Sequence, residues 1–200
     1  MAAGDDPWAA LETALARPAA ASSDFDLSPD AARPGRVLRP AGVLMALETA
    51  PEGPRVYLTK RSPALRHHPG QIAFPGGKLD EGDADPVAAA LREAEEEIGL
   101  PRGHVEVMGT LPPHETVTGF SMTPVLARVV RPFDPVPEPG EVAEVFAVPF
   151  AHLADPANYT VQARRWRGRM RHYYTVPWGP YYIWGATARI LRGLAARLAP

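Results

Sequence analysis

Arg92, Glu93, Glu96 and Glu97 fall within two helical turns in the run LREAEEEIGL, Leu91–Leu100. Like charges three and four residues apart repel by about 0.2–0.5 kcal/mol per pair on a helix. Three carboxylates gathered on one side therefore ask for a compensating cation. Mg²⁺ is a hard ion that takes oxygen ligands and is usually shared between a few carboxylates and the phosphates of a substrate. The matching chemistry is hydrolysis at phosphorus. Pyrophosphate oxygens are negative and repel a nucleophile; a divalent metal neutralises them and makes hydroxide available near neutral pH.

A helix must present these acids. Asp85 suits its N-cap, Pro86 its first position and Gly99 the residue just past its end, which predicts a helix over Pro86–Ile98. At about 100° per residue, Glu93, Glu96 and Glu97 share one sector of the wheel. Val87, Leu91, Ala94 and Ile98 form a core-facing stripe in another. A charge run alone reads as a solvated face. Phe74-Pro75-Gly76-Gly77 ahead of the helix and Gly99-Leu100 behind it argue against that, because a solvated face needs no such fixed partners.

Arg92-Glu93-Ala94-Glu95-Glu96-Glu97-Ile98-Gly99-Leu100 resembles the second half of the Nudix box, R-E-U-x-E-E-x-G-U with U aliphatic or small. The first half departs from that box: five residues separate Gly77 from Asp83, which stands instead of Glu, and eight residues then separate Asp83 from Arg92. Upstream, Leu58-Thr59-Lys60-Arg61-Ser62, Arg66, Gly70 and Phe74–Gly77 are similar to the additional motif of the coenzyme A pyrophosphatase branch of that family. Tyr57 replaces its first Leu. Ile183–Ala188, IWGATA, is similar to the start of the branch's C-terminal helix, so the resemblance covers about residues 36–198.

The resemblance implies a Nudix-type α/β/α sandwich on a mixed β-sheet and an enzyme dependent on Mg²⁺ or Mn²⁺. The metal ligands are then Glu93, Glu96, Glu97 and the main-chain carbonyl of Gly76. Glu93 is the first choice for the group that orients or deprotonates water, and Arg92 braces the acids by ion pairing. Many members take a further acid from outside the box; Glu141 and Glu144 are placed best, with Glu115 third. Arg61, Arg66 and His67, with Gly77 in the turn, are the candidate substrate contacts, arginine suiting phosphate through its bidentate fork. Each has a plain structural alternative in salt bridges within the loop. The run Arg164–His172, RRWRGRMRH, reads either as a reach toward the 3′-phosphate of coenzyme A or as a strand pair turning at Gly168 with a basic outer face.

The remaining sequence sets bounds. With no cysteine, thiolate catalysis, disulfides and Cys-based zinc sites are excluded. A net charge of −2 demands neither a nucleic-acid nor a membrane partner, and the longest apolar stretch, Ala41–Leu47, is too short to span a bilayer. The acidic N-terminus is unlike a signal peptide, which makes the cytoplasm the expected compartment. Residues 1–35 read as a short helix, Pro7–Arg17, and a surface linker, Ala19–Pro34; residues 36–200 read as the catalytic domain. Strands are expected at Arg39–Leu47, Arg55–Thr59, Val105–Leu111, Thr123–Val130, Val142–Pro149, Tyr159–Arg165 and Met170–Val176, and a last helix at Gly185–Leu198. The expected substrate is a small molecule, coenzyme A or an acyl-coenzyme A. Two alternatives stay open: a Nudix pyrophosphatase acting on ADP-ribose, dinucleotides or nucleoside triphosphates, and a nucleotide-binding sensor that has lost the chemistry.

Overall fold

The computed structural model describes residues 6–32, 35–166 and 168–199. Ala41–Leu47, apolar at every position but Gly42, is a strand buried on both faces, as an unbroken apolar run in a covered sheet should be. It lies within β2 (Arg39–Glu48), the centre of a mixed sheet that has nine strands among the described residues. The others are β1 (Ser22–Ser23), β3 (Arg55–Arg61), β4 (Ile72–Ala73), β5 (Gly76–Lys78), β6 (Val105–Thr110), β7 (His114–Glu115), β8 (Phe120–Val129) and β9 (Val142–Pro149). The path runs β1-β7-β8-β2-β3-β4, with β5 also on β2, β6 on β8 and β9 on β3. β2 pairs β8 in parallel over its whole length, while β3, β5, β6 and β9 pair antiparallel.

Alternation along β2 divides the core in two. Val43, Met45 and Leu47 meet α1 (Pro7–Ala16) and α4 (Ala186–Leu198) through Leu11, Ala14, Leu191 and Leu194. Leu44 and Ala46 meet α2 (Pro86–Ile98) through Ala90, Ala94 and Ile98. A short α3 (Phe150–Ala154) joins the α1–α4 layer. The α/β/α sandwich expected from the sequence is therefore present. Gly42 sets how closely α2 approaches: a Cβ there would lie 1.8 Å from the carbonyl oxygen of Pro86. Of the predicted helical stripe, Ala94 and Ile98 are fully buried and Val87 and Leu91 half-buried, because α2 rotates its alanines onto the glycine-bearing strand.

One element differs from expectation and another takes one of its two expected forms. The stretch read as a surface linker is tied in over its described part: β1 pairs β7, Phe25 is buried, and the Asp24 carboxylate meets the fully buried His114 at 3.2 Å and accepts from Val117 N at 2.8 Å. One phenylalanine and one acid in a polar run were enough to fasten it. The basic run forms an antiparallel hairpin, β10 (Thr160–Trp166) with β11 (Arg169–Thr175), outside the main sheet, as the strand-pair alternative required. Its residue 167 lies outside the described residues. No helix is long and apolar enough to cross a membrane among the described residues.

Candidate active site

α2 begins and ends where its sequence dictates. The Asp85 carboxylate accepts from Ala88 N at 2.8 Å, Pro86 fills the first turn, and Gly99 closes the helix in a left-handed conformation. The last turn leaves carbonyls without helical partners. Val136 N donates to Ile98 O and Glu138 N to Glu97 O, both at 3.0 Å. These bonds hang the loop before β9 on the end of α2. Ser62 N donates to Glu141 O at 2.8 Å from the other side. Glu141 is thus delivered to α2 by backbone bonds.

The result is a group of three acids. Glu93, Glu97 and Glu141 each offer a carboxylate oxygen, and these oxygens all lie within 4.8 Å of one another. Glu97 is only 5% exposed, and its carboxylate accepts from Gly76 N at 3.0 Å. Burial, reinforced by the neighbouring Glu93 and Glu141 charges, pushes its carboxyl up to about 7, against the pull of the Gly76 bond and of Arg61. Burial also raises Glu93, opposed by Arg92. Gly77 makes the space for Glu93, since a Cβ there would stand 2.3 Å from its Oε1. A cleft of about 550 Å³, lined by Leu65, Glu96, Glu138, Gly140 and Glu141, opens in front.

Arg92 binds the assembly together, as predicted. Its guanidinium donates to Asp83 at 2.9 and 3.1 Å, to Glu93 at 2.9 Å and to Glu96 at 3.1 Å, and Asp83 holds its proton more weakly as a result. Asp83, the acid that departs from the family pattern, is thus an anchor for Arg92, a role its sequence position did not announce. Glu96 stays outside the group of three; its carboxylate is 60% exposed and turned to Arg92. Glu144 is on the other side of the sheet. It shares strand parity with Phe146 and Val148, which pack against the α1–α4 layer, and its carboxylate accepts from the Tyr181 hydroxyl. Glu115 is paired with Arg36 at 3.4 Å.

Arg61 ends β3 beside Glu97, and its Nε is buried without a hydrogen-bond partner among the described residues. A buried donor left unmade costs about 1–3 kcal/mol, and the Arg61 charge stands near enough to pull the Glu97 carboxyl down against its burial. Arg66 and His67 stand exposed on the loop from Ser62 to Gly70, with no hydrogen bond or ion pair to other described residues.

The family model described as NUDIX domain matches residues 38–170. The chain belongs to the Nudix family. It is 40% identical over 172 residues to the protein called "Uncharacterized Nudix hydrolase NudL" in Cronobacter sakazakii, covering 86% of this chain and 89% of that one. The Escherichia coli K12 protein of the same name is 41% identical over 160 residues, covering 80% and 83%. Among solved structures, the Nudix hydrolase RenU from M. smegmatis aligns with a TM-score of 0.50 and 28% identity, over 61% of this chain and 83% of that one. The chain is accordingly a Nudix hydrolase, an enzyme of pyrophosphate cleavage. Such hydrolases generally need a divalent cation. The donor set fits one: three carboxylates, one of them buried and poorly able to carry its charge alone.

Proposed function

We propose that this Nudix hydrolase cleaves the pyrophosphate bond of coenzyme A or an acyl-coenzyme A. The products are 3′,5′-ADP and 4′-phosphopantetheine or its acyl form. The observation that supports this reading best is the meeting of Glu93, Glu97 and Glu141 beside the unpartnered Nε of Arg61, within the motif from Leu58 to Gly77 that resembles the coenzyme A branch.

Glu93, Glu97 and Glu141 would hold Mg²⁺ or Mn²⁺, with the carbonyl of Gly76 as a further oxygen. When bound, the cation supplies charge neutralisation at the phosphate oxygens and acidifies a water molecule. Arg61 offers its guanidinium to a phosphate oxygen and offsets the charge that develops during attack. Glu93 receives the proton of the attacking water, and Arg92 fixes the carboxylate that does so. Glu96, on the cleft wall, stands next to the incoming pyrophosphate. Arg66 and His67 close over the substrate from the exposed loop.

Purified protein with Mg²⁺ is offered coenzyme A, ADP-ribose, a dinucleotide and ATP in parallel, and products are identified by mass. Fastest turnover of coenzyme A to 3′,5′-ADP is expected. Faster turnover of ADP-ribose or a dinucleotide would replace the substrate and leave the hydrolase; full activity in EDTA would overturn the metal assignment; and no turnover of any nucleotide would favour a sensor.

A further inference from the structure

The basic hairpin is left unused by the pyrophosphate site. Two-stranded sheets are marginal on their own, and this one spends its surface on cations and aromatic rings. Register pairs Gln162 with Tyr173 and Arg164 with Arg171, placing all four on one face. At one end, Arg171 donates to Asp24 O at 3.2 Å and lies over the Phe25 ring at 5.4 Å, which anchors the hairpin to the folded body. Next to it, the Arg164 guanidinium sits 5.6 Å from the centre of the Trp184 ring, and Tyr173 meets Trp184 edge-on at 5.2 Å. The Tyr173 and Tyr182 hydroxyls are 3.4 Å apart, and Tyr182 is 46% exposed. Arg164 is exposed and has no carboxylate partner among the described residues.

This cluster adjoins the loop that carries Arg61. Arg61 N donates to Gln71 O at 3.0 Å, the Gln71 amide nitrogen lies 3.6 Å from where a Cβ of Gly185 would stand, and Trp184 is the neighbouring residue in the chain. The aromatic cluster is thus joined to the Arg61 loop through Gln71 and Gly185. A half-exposed aromatic ring, in one cluster with a guanidinium that has no carboxylate partner among the described residues, is what a purine carrying a phosphate would seek.

We propose that Tyr182, whose hydroxyl meets that of Tyr173, stacks the purine ring of the substrate, and that Arg164 binds the phosphate on its ribose. The subsite rests on the reading of the acidic group as the pyrophosphate site.

The test avoids turnover. Adenosine 3′,5′-bisphosphate and 5′-AMP are titrated into the full chain in EDTA, with binding followed by calorimetry or NMR. Replacing Tyr182 by Ala should weaken both ligands about tenfold, the order expected for one lost base–aromatic stack. Tyr182→Phe, which keeps the ring, should bind as wild type. Arg164→Gln should weaken the bisphosphate about tenfold and leave 5′-AMP unchanged. Unchanged bisphosphate binding in Tyr182→Ala would overturn the stack, and equal weakening of both ligands in Arg164→Gln would overturn the phosphate assignment. Both side chains are exposed, so the variants should fold, which unchanged thermal melting would verify. Failure of the pyrophosphatase reading would show elsewhere, as absent Mg²⁺-dependent turnover in wild type.

Discussion

Glu97 is buried beside two other acids, with the Gly76 N–H and the nearby Arg61 guanidinium favouring its charge. Replacing it by Gln keeps the shape and removes the charge. Turnover should drop by more than about 100-fold, since even residues that merely support a metal ligand cost 10–100-fold. Glu96, exposed and paired with Arg92, should cost less when changed to Gln; equal losses at saturating Mg²⁺ would put both acids on the metal. The raised carboxyl of Glu97 also sets a pH dependence of stability. Its folded-state value of about 7 lies above the ordinary 4.5, so the folded state binds the proton more tightly than the unfolded chain does. That advantage is complete below pH 4.5 and is lost as pH rises toward 7. In EDTA the melting temperature should therefore fall between pH 5 and pH 8. A cation takes the proton's place, so added Mg²⁺ should raise the melting temperature more at pH 8 than at pH 5. A larger gain at pH 5 would contradict this.

Two glycines decide how α2 sits, and they should respond differently to alanine. At Gly42 the obstacle is the Pro86 carbonyl, which is backbone and cannot swing aside. Gly42→Ala should destabilise by at least about 3 kcal/mol, the upper range for overpacking, measurable by urea unfolding. At Gly77 the obstacle is the Glu93 carboxylate, a flexible end. Gly77→Ala should therefore keep its melting temperature and lose turnover as Glu93 is displaced. α2 itself was legible to the residue, Pro86–Ile98, because cap, proline and terminal glycine are local signals. β9 likewise matched at Val142–Pro149, and β2 extended one residue beyond expectation. The two- and three-residue strands β1, β4, β5 and β7 were not legible, since no periodicity can show in so few positions. Glu141 and Glu144 looked equivalent in sequence. Only the strand's facing, fixed by long-range packing, separates the acid beside α2 from the one bonded to Tyr181.

Across the whole molecule, the first and last helices hold each other's ends. The Arg197 guanidinium donates to carbonyls of Ala14, Leu15 and Arg17 at the end of α1, while Arg17 donates to Arg197 and Ala199 carbonyls at the end of α4. These carbonyls lack helical partners. Arg197→Gln should lower stability by about 1–3 kcal/mol, seen as a shift in the urea midpoint, with turnover little changed because the clasp lies on the sheet face opposite α2. The parallel pairing of β2 with β8 bears on biogenesis. Arg39 pairs Phe120 and Glu48 pairs Val129, so each contact spans roughly 80 positions, a separation that slows folding. On the ribosome, β2 emerges early with both faces apolar, and β3 and β5 offer it only two and three paired positions. Until β8 leaves the exit tunnel, a nascent chain carries an unmatched sticky ribbon, the kind of segment that holdase chaperones bind and that drives inclusion-body formation when synthesis outpaces them.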